Sequence, residues 1–181
     1  MQTEMIKPDI SDAYIARCYK KLKGMDAPLD GWHCIGVTDL ADEEDMDCIA
    51  YATCELCGCS KVRYVHHMVH EAFIGQVDVG CVCAGVMEGD ILKAKERERL
   101  IENRYRRKQT FIHKGWKHNG QMYVRRYHYQ IYRIYMADSE PPHYGVDYKG
   151  KCRWICQGKP MYSFTQAASA LFHTIDPPVE V

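Results

Sequence analysis

Between Cys54 and Gly85 the chain reads CELCGCSKVRYVHHMVHEAFIGQVDVGCVCAG, with five cysteines and three histidines in this one stretch. So dense a set of soft donors must either cross-link the chain or bind metal, and the compartment decides which. The N-terminus, MQTEMIKPDISDAY, has neither the basic start nor the apolar centre of an export signal. No run approaches the roughly eighteen apolar residues of a membrane span. The expectation is a cytoplasmic protein without a membrane partner. In that reducing compartment clustered thiols bind metal rather than pair as cystine.

The spacing names the ion. Zinc takes four thiolate or imidazole ligands in a tetrahedron, and two short cysteine pairs separated by a loop supply them. Cys54-Glu-Leu-Cys57-Gly58 makes the first half: two intervening residues let both sulfurs face one ion, and the glycine permits the turn that follows. Cys81-Val-Cys83-Ala84 makes the second half, where a strand ends and a helix can begin. The expected zinc ligands are therefore Cys54, Cys57, Cys81 and Cys83, with His70, His66 and Cys59 as alternates. Cys18, Cys34, Cys48, Cys152 and Cys156 lack such spacing and are expected in the core. His66, His67 and His70 lie on a strand and the turn after it. Each can ligate, donate hydrogen bonds around the metal or face solvent, and His66 and His67 are the catalytic candidates.

Around this stretch the pattern is α+β. SDAYIARCYKKLKG has a capping Ser11 or Asp12 and apolar residues at helical spacing. Trp32 to Thr38 and CIAYATCELCG read as strands. From Asp90, GDILKAKERERLIENRYRRKQTFI predicts the longest helix, with only a narrow apolar stripe. YVRRYHYQIYRIYMA and HYGVDYKGKCRWIC predict the strands of a small antiparallel sheet, and YSFTQAASALFHTI predicts a closing helix. Three segments follow: a helical start over 1–31, a metal module with the long helix over 32–119, and a β-rich module over 120–181.

The formal charge is zero, yet the charges are sorted. Asp39, Asp42, Glu43, Glu44, Asp45 and Asp47 crowd one stretch, while thirteen Lys or Arg between Lys93 and Arg133 face three Glu. The basic stretch, with Tyr105, Phe111 and Trp116 interleaved, predicts a nucleic-acid surface of unknown type. Arg104, Arg106, Arg107, Lys108, Lys114, Lys117, Arg125 and Arg126 are the expected contacts. The acidic segment 39–47 points instead to a basic protein partner, as an inhibitor or regulator would have.

The order of CxxCG, strand, His-rich strand end, second cysteine pair and helix resembles a treble-clef zinc finger, within it the phage endonuclease VII branch of HNH nucleases, over Cys54 to about Arg104. The string GWHCIGVTDL, CELCG, RYVHH, VGCVCAGVMEGD is also similar to poorly characterised zinc-knuckle proteins of bacteria, phages and mobile elements. The resemblance implies a zinc-braced module and, in the nuclease branch, a second metal held by an Asp-His pair and an Asn. Here Val65 precedes His66, His66 precedes His67, and Ala84 follows Cys83, so those oxygen ligands are absent. The expectation is a zinc-stabilised binder without catalysis, with a metal-dependent nuclease as the enzymatic alternative.

Overall fold

The computed structural model describes residues 10–41 and 50–178. It is a mixed α+β protein whose sheets are antiparallel. Two compact units divide at Glu102 and Asn103.

The first unit opens with α1 (Asp12–Gly24), whose first turn is closed by the Ser11 hydroxyl accepting the Tyr14 N–H at 3.3 Å. β1 (His33–Asp39), β2 (Tyr64–His70) and β3 (Phe73–Val79) form a meander in sequence order. Register sets one row of β2 and β3 toward the core: Met68 lies opposite Val77 and His66 opposite Val79, all four buried. Into this otherwise apolar row the chain places a histidine. α2 (Cys81–Glu88) follows β3, and α3 (Ile91–His113) begins after a tight link in which Asp90 accepts the Lys93 N–H at 2.9 Å. Gly85 makes that link possible, because a Cβ there would lie 2.5 Å from the Cα of Ile91.

The second unit receives the end of α3. A five-stranded antiparallel meander holds β4 (Lys117–Asn119), β5 (Met122–Tyr127), β6 (Gln130–Ala137), β7 (His143–Tyr148) and β8 (Lys151–Arg153). A short hairpin of β9 (Ile155–Cys156) and β10 (Lys159–Pro160) leads to α4 (Phe164–Ile175), capped by Ser163 accepting the Gln166 N–H at 3.1 Å. Ala167, Ala168, Leu171 and Phe172 recur at helical spacing and bury the inner stripe of α4 against Phe111, Tyr132, Ile134 and Val146. Phe111 is the centre of this core, with Trp116, Tyr127 and Tyr132 edge-on around it.

Two sequence expectations about organisation change. α1 contributes Cys18 and Leu22 to the first core, so 1–31 is not a separate segment. The division falls within α3 rather than near Gly120, because Phe111 and Ile112 are buried in the second core. The stretch before Cys54 is reduced to a single bridge between Ala52 and Val62 in the described residues.

Candidate metal centre

A turn, a helix start and a distant helix bring sulfur together. In the Cys54–Cys57 turn the Gly58 N–H donates to the Cys54 carbonyl at 2.8 Å, with Gly58 at φ 75°, where a side chain would be strained. Cys83 lies in the first turn of α2, and the sulfurs of Cys54, Cys57 and Cys83 lie within 4.8 Å of one another. These three could hold a metal ion. Cys54 and Cys83 are buried, while Cys57 is exposed at the rim. A hydrogen bond between the buried pair holds the Cys54 thiol down at about 5 and, together with burial, pushes Cys83 up. The Tyr14 hydroxyl shares a hydrogen bond with the Cys83 sulfur at 2.9 Å.

A fourth thiol lies near Cys83, from a position where spacing gave no hint. The Cys18 sulfur, buried on α1, lies 4.0 Å from that of Cys83. A tetrahedron with Zn–S bonds of about 2.3 Å has edges of about 3.8 Å. That single distance matches such an edge, while Cys18 lies outside the group of three whose sulfurs are all within 4.8 Å of one another; the sequence places it in the core as an ordinary apolar residue.

Cys81 does not join this group. Residues two apart on a helix project about 200° apart, so the Cys81 and Cys83 thiols leave the first turn of α2 in different directions. Cys81 instead lies with His66 and Glu98, donor atoms again within 4.8 Å of one another. His66 is fully buried. Burial pushes its pKa down, but hydrogen bonding to Cys34, Cys81 and Glu98 overrides this and raises it to about 10.

The other alternates have structural partners. His67 binds Asp78 through Nδ1 and the Thr38 hydroxyl through Nε2, each at 2.8 Å. His70 Nδ1 accepts the Ala72 N–H at 2.9 Å, and its ring packs on Trp32. Cys59 is exposed, and its carbonyl accepts the Cys54 N–H. His66 is thus fully buried, whereas the His67 side chain is 22% exposed and held by its two hydrogen bonds.

Several of the expected nucleic-acid contacts have structural partners or are buried. Arg125 is buried and donates to the carbonyls of Thr110, Phe111 and Lys114, the orphan acceptors at the end of α3. Arg104 does the same for α4, donating to the Asp176 carbonyl at 2.7 Å. Lys108 is buried as well, and Arg107 pairs with Asp176 at 2.8 Å. Lys114, Lys117 and Arg126 are exposed, as is Arg106. In the acidic segment, Asp39 is buried and holds Arg63 through two hydrogen bonds at 2.8 and 2.9 Å; positions 42–47 lie outside the described residues.

The unit boundary exposes a charge division that the sum conceals. Residues 103–178 contain thirteen Lys or Arg against four Asp or Glu, an excess of nine positive charges, and the first unit carries the matching negative excess. No family model, no curated protein and no solved structure matches the chain.

Proposed function

We propose that the protein is a non-catalytic binder of single-stranded nucleic acid, braced by a zinc ion on Cys18, Cys54, Cys57 and Cys83. In this reading the first unit is a treble-clef-like module: a knuckle at Cys54–Gly58, the β2–β3 hairpin, and α2 bearing the third ligand. The donor chemistry supports zinc, since an all-thiolate set of this edge length fits it better than a hard cation.

The observation that carries the reading is the positive excess of the second unit together with what its sheet presents. α4 packs against the face bearing Tyr132, Ile134 and Val146. Alternation places the neighbouring residues on the opposite face. One row there crosses four strands as Lys117, Val124, Arg133 and Asp147, directly opposed in the register. The adjacent row pairs Met122, Tyr135 and Gly145. Trp154 lies across Gly145, whose added Cβ would meet the indole at 2.7 Å. Arg126 and Ile131 form a third pair, both exposed. Cations beside aromatic rings suit a single strand, the cations neutralising phosphates and the rings stacking on unpaired bases. At the β5–β6 tip His128 and Tyr129 hold positive φ values of 45° and 63°, and Tyr129 is 94% exposed. Non-glycine residues are costly there, and such strain is kept where a side chain has a task.

Fluorescence anisotropy of a labelled single-stranded oligonucleotide with the full chain tests this. If three phosphates are neutralised, affinity falls roughly 20-fold between 50 and 200 mM salt. The double variant Lys117→Ala, Arg126→Ala is expected to flatten that dependence, and Trp154→Ala to weaken binding without changing the slope. Absence of binding at 50 mM salt would sink the reading and favour a basic protein docked on the acidic first unit.

A further inference from the structure

We propose that Cys34, His66, Cys81 and Glu98 form a second divalent-metal site in the first unit, distinct from the four-thiol centre and suited to zinc. The inference is independent of nucleic-acid binding and shares only helix α2 with the four-thiol reading.

Three observations converge. The donor atoms of His66, Cys81 and Glu98 lie within 4.8 Å of one another, and the His66 Nε2 is 3.4 Å from Glu98 Oε2. Cys34, on the neighbouring strand, interacts with the same imidazole. Its thiol also donates to the Gly36 carbonyl at 3.2 Å. Third, His66 is fully buried, and its Nδ1 has no hydrogen-bond partner. A fully buried histidine in an apolar row, with Glu98 and Cys81 at its ring, is poorly explained by packing, because a valine or methionine would fill the position without polar atoms to satisfy. A bound ion gives that residue a purpose.

The donors are two sulfurs, one nitrogen and one oxygen, each within the repertoire of zinc and poorly matched to magnesium or calcium. Surrounding groups resemble the support that metal ligands need. Glu88 accepts the Cys34 N–H at 3.2 Å and grips Arg97 at 2.6 Å, fixing β1 against the start of α3. Arg97 acts electrostatically on both Cys34 and Cys81, offsetting the negative charge of two thiolates and a carboxylate. Glu98, 32% exposed, gives the ion a route from solvent. The i, i+2 cysteines of α2 thus serve two centres on different sides of one helical turn.

Elemental analysis and native mass spectrometry of the full chain, with zinc X-ray absorption, provide the test. Two ions per chain are expected, with three sulfurs for each nitrogen or oxygen averaged over both sites, at distances near ~2.3 and ~2.0 Å. Cys81→Ser should leave one ion in an all-sulfur shell. Glu98→Gln, at the exposed edge where folding is least at risk, should release one ion at lower chelator concentration than the wild type. A single ion with only sulfur neighbours in the wild type overturns the second site and leaves the four-thiol centre standing. A single ion in a mixed shell supports this site and overturns the other. No metal at all overturns both.

Discussion

The two units close their cores by different chemistry. In the first, a three-stranded sheet and the helices bury a largely aliphatic core in which three of the residues are the cysteines 18, 54 and 83. In the second, five strands and α4 surround a cluster of rings, and buried arginines terminate the helices. Every metal-capable group among the described residues lies in the first unit. The contrast is one of composition: thiols that could hold an ion cluster in the first core, while aromatic rings fill the second.

That contrast can be broken from either side. Cys54→Ser or Cys83→Ser should have the largest effect, since structural zinc contributes about 10 kcal/mol or more to a small module. Near-ultraviolet signals of Trp32 in the first unit are expected to collapse while the ring cluster of the second survives. Phe111→Ala should do the reverse, costing about 3 to 5 kcal/mol in thermal denaturation with metal content unchanged. Arg125→Met removes the guanidinium nitrogen shared among the carbonyls at the end of α3 and is expected to destabilise the second unit by about 2 to 3 kcal/mol. Gly85→Ala, forced against Ile91, should cost the first unit about 1 to 3 kcal/mol. A metal loss in Phe111→Ala equal to that in Cys54→Ser would erase the distinction.

Local signals in the sequence were legible where they act locally. Ser11, Asp90 and Ser163 cap the helices that their positions predict, and the Cys54–Gly58 turn forms as its spacing requires. Long-range partnerships were not. Cys18 lies far from Cys83 in sequence, and only the packing of α1 brings the sulfurs together. Cys81 and Cys83 look like a chelating pair until helical geometry separates them. The basic run misleads for another reason: a residue's charge is visible in the sequence, but not whether it meets solvent or a helix end, and Arg104 and Arg125 meet helix ends. The β5–β6 turn has no glycine, asparagine or aspartate to mark it, so His128 and Tyr129 pass for strand residues.

Hydrogen exchange of the full chain, followed by mass spectrometry with and without a zinc chelator, tests the central claim most directly. The account predicts that chelation abolishes protection in β2, β3 and α2 while β5, β6 and α4 keep theirs. Equal protection in both halves after complete removal of metal would contradict it.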